Sequence, residues 1–265
     1  MGKKTKISSF ESTWSPVTGC YRGCNFCYAK RIAERFAGYD KTEYNRHAYT
    51  ITGYKGKNIY NVLKPMTRTT KNGEIQTAPY PFGFQPTMFD YKLNELKGWK
   101  EPKDVFVCSM ADLFANFIPD NWIARVIEEC VQAPQHRYFF LTKNPSRYID
   151  LFNNLRALQK PHDNFWFGTT VTTSEKAFFF RDDANCFLSI EPIHGDFPVD
   201  GKQIKELGIK WIIVGAETGN RVGKVKPKKE WIQHIAETCK KNDIPLFMKD
   251  SLENLMGDEF VQEKP

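Results

Sequence analysis

Chemistry in this chain begins at Cys20-Tyr21-Arg22-Gly23-Cys24-Asn25-Phe26-Cys27, three thiols at C-x-x-x-C-x-x-C spacing. Ligands three and four residues apart on one tight loop can converge on a single inorganic centre. A 4Fe-4S cubane takes one ligand per iron, so three cysteines leave one iron open. An open iron can chelate the amino and carboxylate groups of a small molecule. The rival is a structural zinc site, which needs four closed ligands and would have to recruit a distant thiol such as Cys108. Three unrelated thiols are the remaining reading. The spacing favours the cluster.

The elements around the loop must position it. Ser12–Val17 reads as a short strand leading in, and Ala29–Phe36 as a helix with Ile32, Ala33 and Phe36 on one face, ended by Gly38. Residues 1–11 are polar and expected to fray. Residues 39–81 hold no sustained period and mix Tyr44, Tyr49, Tyr54 and Tyr60 with Lys55, Lys57, Lys64, Arg68 and Lys71. This basic, Tyr-rich insertion after the first βα unit suits nucleic acid, since cations track phosphates and rings stack on bases. A solvated insertion with tyrosines packed beneath it is the alternative. Strands are then expected at Phe84–Met88, Val105–Ser109, Tyr138–Thr142, Phe165–Val171, Cys186–Ile190, Trp211–Gly215 and Pro245–Met248. Helical runs lie at Asn121–Gln132, with Asp120 as a candidate cap, at Ser146–Leu158, with Pro145 at its start, and at Lys229–Asn242. Continuous apolar strands separated by helices imply buried parallel strands. About eight βα units predict an α/β fold, a complete or distorted TIM-like (β/α) barrel, in one domain over residues 1–265. A doubly wound open sheet is the alternative.

In such a barrel the active face lies at the C-terminal strand ends. Those positions turn polar at Ser109-Met110-Ala111-Asp112, Thr142-Lys143-Asn144, Thr172-Thr173, Glu191-Pro192, Glu217-Thr218 and Lys249-Asp250, and the cysteine loop follows the first strand onto the same face. Taken singly, each is equally a polar residue bonded to a neighbouring loop. Cys108 and Cys186 read as core thiols within apolar strands, and Cys130 and Cys239 as core positions on helices. His194 falls near the active face without an assigned role.

Cys20, Cys24 and Cys27, with aromatic Phe26 before the last, resemble the signature of the radical S-adenosylmethionine (radical SAM) superfamily. Thr13-Trp14-Ser15-Pro16-Val17-Thr18-Gly19-Cys20, Ser109-Met110-Ala111-Asp112-Leu113-Phe114, Leu141-Thr142-Lys143, Ser189-Ile190-Glu191-Pro192 and Gly215-Ala216-Glu217 are similar, in that order, to a phage- and prophage-associated radical-SAM-like family of unknown function. Gly215-Ala216-Glu217-Thr218 stands where that family has Gly-Gly-Glu-Ser, and Lys249-Asp250-Ser251-Leu252 where it has Lys-Gln-Trp-Gly. The cysteine loop is also locally similar to that of spore photoproduct lyase, a radical SAM enzyme acting on DNA. The resemblance implies a 4Fe-4S cluster on the three cysteines, SAM on the open iron, and a 5′-deoxyadenosyl radical that abstracts hydrogen from substrate. Phe26 would pack beside the adenine and Lys143 meet the SAM carboxylate. Asp112, Glu191 and Glu217 would take the ammonium or ribose hydroxyls, supported by Ser109 and Thr142. Cys108 or Cys186 would be the candidates for donating a hydrogen atom to a substrate radical.

A formal net charge of +7 is concentrated, with seven Lys/Arg against two acids in residues 41–80 and five against none in 221–229. The second run follows a strand end, so it should overhang the mouth that holds the cysteine loop; the bland alternative is solvated surface. Lys55, Lys57, Arg221, Lys224, Lys226 and Lys249 are therefore candidates for an anionic substrate such as DNA, RNA or a nucleotide. A peptide or small-metabolite substrate, and a non-catalytic metal-stabilised nucleic-acid-binding protein, are the competing functions. The radical SAM reading further implies a reducing partner such as flavodoxin or ferredoxin. No run nears the ~18 apolar residues of a membrane span. The basic N-terminus lacks the apolar core of a secretory signal, and seven unevenly spaced cysteines suit a reduced compartment, so a cytoplasmic location is expected.

Overall fold

The computed structural model describes residues 7–37, 45, 47–70, 72–160, 162–198 and 201–265. In chain order its strands are β1 (Ser12–Trp14), β2 (Val17–Thr18), β3 (Tyr49–Tyr54), β4 (Lys57–Val62), β5 (Thr67–Thr69), β6 (Ile75–Thr77), β7 (Thr87–Phe89), β8 (Asp104–Val107), β9 (Arg137–Thr142), β10 (Phe165–Val171), β11 (Asn185–Ile190), β12 (Ile209–Val214) and β13 (Leu246–Met248). The helices are α1 (Tyr28–Ala37), α2 (Asp120–Gln132), α3 (Ser146–Asn154), α4 (Gly201–Glu206), α5 (Lys229–Lys241) and α6 (Glu253–Met256). Among the described residues no helix is long and apolar enough to cross a membrane.

Seven strands form one parallel sheet in the order β1-β8-β9-β10-β11-β12-β13. Strand order follows chain order without the reversal of a doubly wound sheet. The sheet curls. Phe10, just before β1, lies 4.8 Å from Phe106 of β8 and 5.9 Å from Trp211 of β12 between ring centroids, and Lys249, just after β13, donates to Ser9 Oγ at 3.2 Å. The first and last strands do not pair, so the sheet is an incomplete, TIM-like half-barrel.

The curl follows from side chains that alternate across each strand. Val105, Tyr138, Phe140, Phe165, Phe167, Leu188, Ile212 and Val214 pack outward with Ile123, Val126, Ile127, Ile232 and Ile235 of the helices. Phe106, Phe139, Trp166, Phe187, Trp211, Ile213 and Phe247 turn inward around Phe10 and plug the interior. Each large aromatic so buried contributes on the order of 1.5–3 kcal/mol. Trp211 satisfies its indole by donating to the Glu263 carbonyl at 2.9 Å.

Several expectations are corrected. The strand expected at Phe84–Met88 forms only as Thr87–Phe89. It joins a separate sheet, pairing antiparallel with β2 and parallel with β4, which leaves seven barrel strands rather than about eight. The strand expected through Ser109 ends at Val107, because Cys108 turns into the left-handed region at φ 56°. The segment read as an insertion without regular structure folds, in its described part, into the hairpins β3–β4 and β5–β6. The first turns through Lys55 and Gly56, both at positive φ as a two-residue hairpin turn requires. Its tyrosines build a small core, with Tyr60 stacked on Phe82 at 3.7 Å beside Ala48, Val62, Met66 and Phe89. Gly38, Tyr44 and Lys71 lie outside the described residues.

Helix α1 buries Ala29, Ala33 and Ala37, while Ile32 and Phe36 remain 38% and 42% exposed. The small alanines form the buried face, and the larger side chains turn outward. Ser9 and Phe10 are buried where fraying was expected. Asp120 does not cap α2; Pro119 holds that place without a side-chain bond, and Asp120 pairs with Arg147. The third helix ends at Asn154 and a tighter turn, Arg156–Leu158, follows it.

Candidate active site

The chain enters the cysteine loop through Gly19, at φ 87°, where a Cβ would stand 2.2 Å from the Gln85 carbonyl oxygen; only glycine fits. Gly19 N–H donates to the Met110 carbonyl at 2.9 Å and Cys20 N–H to that of Phe84 at 3.0 Å, pinning the loop to two neighbouring segments. Cys20, Cys24 and Cys27 are free thiols, each half-buried, and all three line a cavity of about 360 Å³ at the C-terminal ends of the barrel strands. Arg22 N–H points at Cys20 Sγ and Lys30 N–H at Cys27 Sγ, both at 3.4 Å. Burial pushes the Cys20 thiol up to about 12, with the Arg22 backbone hydrogen bond opposing.

The donor set fits an iron-sulfur cluster. Soft thiolates select such clusters or zinc, and N–H groups aimed at sulfur favour the thiolate. Among the described residues no group of three or more His, Cys, Asp or Glu side chains is placed to hold a metal ion. A zinc ion draws its sulfurs to about 2.3 Å, whereas a cubane takes one thiolate per iron. Cys108, the fourth ligand a closed zinc site would need, is buried in the helix-facing core and does not line the cavity.

Phe26, Ser109, Asp112, Thr142, Lys143, Glu191, Glu217 and Lys249 all line this cavity. Asp112 accepts from Arg22 Nε at 2.7 Å, Thr142 Oγ1 at 2.6 Å and Lys143 N–H at 3.1 Å. Glu217 accepts from Arg221 Nε and Nη2 at 2.6 and 2.7 Å. Arg221 hydrogen bonds hold the Glu217 carboxyl below its usual range, against a smaller opposing effect of burial. Both carboxylates thus have protein partners, as buried charges require. Lys143 holds its ammonium 5.3 Å from the Phe26 ring centroid, and burial pulls it below the ordinary lysine range, with Cys24 and Asp112 opposing. Glu191 stands 3.7 Å from the Lys249 ammonium. The Ser109 hydroxyl is 3.5 Å from that of Ser15, and its carbonyl accepts from the Tyr28 phenol at 2.6 Å.

Other candidates sit elsewhere. Cys108 and Cys186 are buried among outward-facing core residues, and neither lines the cavity, which argues against either as a hydrogen-atom donor there. Lys55 and Lys57 are exposed at the tip of the β3–β4 hairpin; Lys57 lies 4.9 Å from the ring of Tyr21 in the cysteine loop, whose phenol donates to the Asn58 carbonyl. Arg221 is taken up by Glu217, Lys224 donates to the Gly219 carbonyl at 2.8 Å, and Lys226 is exposed. Arg22, Tyr28, Thr170, Ser189 and the segment Ile7–Phe10 also line the cavity without having been singled out. Arg22 was visible in principle as a charge inside the cysteine loop. Ile7–Phe10 offered no local signal, since only the curl of the sheet brings it there.

No curated protein matches the sequence. Among solved structures, a cysteine-to-alanine mutant of spore photoproduct lyase with dinucleoside spore photoproduct is similar with a TM-score of 0.53 and 11% identity, over 94% of this chain and 78% of that one. A tyrosine-to-phenylalanine mutant of the lyase gives 0.51 at 11% identity, and the lyase complexed with dinucleoside spore photoproduct 0.50 at 9%, with the same coverage. At these identities the likeness is one of fold. A family model described as "Protein of unknown function (DUF5131)" matches residues 4–259, and the chain belongs to that family.

Proposed function

We propose that this protein is a radical SAM enzyme that acts on an anionic substrate, a nucleic acid or nucleotide, in modification or repair. The observation that carries the reading is the convergence of three free, half-buried thiols with the polar barrel-strand ends on one cavity. Cys20, Cys24 and Cys27 would hold a 4Fe-4S cluster, which when bound supplies the electron for reductive cleavage of SAM and so the radical that takes hydrogen from substrate. Phe26 offers an aromatic wall for the adenine. The Lys143 ammonium offers a partner for the SAM carboxylate, and Glu191 one for the ammonium or ribose hydroxyls, with Ser109 and Thr142 beside them. Leu141, Ile213 and Phe106 add apolar surface to the cavity lining.

Support for the substrate class comes from charge and fold together. Exposed Lys57 stands beside the cysteine loop with exposed Lys55 at the same hairpin tip, and Lys224 and Lys226 follow the strand end that carries Glu217. Two of the matched lyase structures contain a dinucleoside spore photoproduct. A flavodoxin or ferredoxin in the cytoplasm would serve as reductant.

Anaerobic reconstitution should load about four irons per chain, and reduction in the presence of SAM should release 5′-deoxyadenosine. Single-stranded oligonucleotides should bind with an affinity that falls steeply with salt. A chain that takes up one zinc and never cleaves SAM refutes the chemistry. SAM cleavage without salt-dependent oligonucleotide binding redirects the substrate to a peptide or small metabolite.

A further inference from the structure

We infer that Asp112 is a positioning residue that ties the cysteine loop to the end of β9 and so sets where the thiols stand relative to the Lys143 ammonium. The inference rests on the radical SAM reading for its purpose, though the tie itself is geometric. Both oxygens of this buried carboxylate are engaged by protein donors: Oδ2 by Arg22 Nε and Lys143 N–H, Oδ1 by Thr142 Oγ1. Thr142 Oγ1 in turn accepts from Asn144 N–H at 3.0 Å, so the hydroxyl is held from both sides.

Two routes run from this carboxylate into the loop. Through Arg22 it grips the stretch between Cys20 and Cys24, and the Arg22 backbone N–H is the group that faces Cys20 Sγ. Through the backbone of Lys143 it fixes the residue whose ammonium lies over Phe26, between Cys24 and Cys27. One anion thereby holds the loop at two points against the strand end. With three of its about four acceptor positions taken by protein donors, Asp112 acts on a bound nucleoside chiefly through these neighbours.

The test uses Asp112→Asn, Arg22→Ala and the double variant. In metal-free protein, labelling of Cys20, Cys24 and Cys27 by a soluble disulfide reagent should accelerate in each single variant. In reconstituted protein the iron content should hold while the Kd for S-adenosylhomocysteine, measured by calorimetry, rises about tenfold, the size of losing a hydrogen bond to a charged group. The double variant should lose no more than the worse single one, because both break the same tie. Unchanged thiol labelling and unchanged Kd in Asp112→Asn, with only a lower denaturation midpoint, would overturn the inference in favour of a purely structural carboxylate. Additive losses in Kd would overturn it in favour of direct ligand contact. Should the wild type load no cluster and bind no nucleoside, the radical SAM reading fails while the labelling arm still decides the tie.

Discussion

Gly168 is the position where one methyl group tests the packing beneath the candidate active site. Its strand, β10, also supplies Thr170 to the cavity, and β11 beside it supplies Ser189. A Cβ at Gly168 would lie 2.2 Å from Phe187 Cζ and 2.5 Å from both Cε atoms. Normal carbon contacts begin near ~3.5 Å, so the ring must retreat by more than about 1 Å. Phe187 has nowhere to go: it is fully buried, with Trp211 at 5.6 Å and Phe139 at 6.1 Å between ring centroids. Overpacking of this kind costs about 1–3 kcal/mol, and the rigid aromatic plug places Gly168→Ala toward the upper end. With a urea slope of about 2 kcal/mol/M, a loss near 2 kcal/mol lowers the unfolding midpoint by about 1 M. Phe187→Leu should relieve the clash, so the double variant should be more stable than the sum of the single losses by about 1–3 kcal/mol. A Gly168→Ala midpoint equal to wild type, or strictly additive losses in the double variant, refutes the reasoning.

Three further outcomes rest on the same structure. Glu217 has its folded carboxyl below the ordinary 4.5, so its contribution is fully present above that pH and is lost as pH falls through the lowered folded value. Urea midpoints followed downward from pH 6 should therefore drop more for wild type than for Glu217→Gln, and parallel curves would count against the pair with Arg221. Replacing Lys55 and Lys57 together by Ala should lower the salt slope of single-strand binding by about 1.4, at about 0.7 per phosphate contact; an unchanged slope removes the hairpin tip from the interface. Cys24→Ala should abolish iron uptake while metal-free stability stays within about 0.5 kcal/mol of wild type, because this thiol stands outside the apolar core clusters. Unfolding of that variant would instead mark a metal-stabilised architecture.

Much of the frame was readable along the chain. The run Phe165–Val171 is β10 residue for residue, and Tyr138–Thr142 misses β9 by one position. Polar strand-end residues Ser109, Asp112, Thr142, Lys143, Glu191, Glu217 and Lys249 meet at one cavity, because parallel strands all end on the same face, whereas Thr172 and Thr173 after β10 do not line it. Hydrophobic runs, turn residues and the cysteine spacing are properties of near neighbours in the chain, and near neighbours carry them whatever the rest of the molecule does.

Contacts between distant segments needed the tertiary structure. Phe84–Met88 reads as another apolar strand, yet the strand that forms there, β7, leaves the barrel because β2 and β4 supply its hydrogen bonds. Ile32 and Phe36 outweigh alanine in hydrophobicity and so mark the wrong apolar face of α1, whose buried residues are Ala29, Ala33 and Ala37. Arg22 and Asp112 pair across 90 positions, and Lys249 reaches Ser9 across 240. The sequence by itself determined the strand runs, the cysteine loop and the polar strand ends. Only the tertiary structure decided which distant charges find partners, since a buried carboxylate such as Asp112 is satisfied by whichever donor the fold brings within about 3 Å.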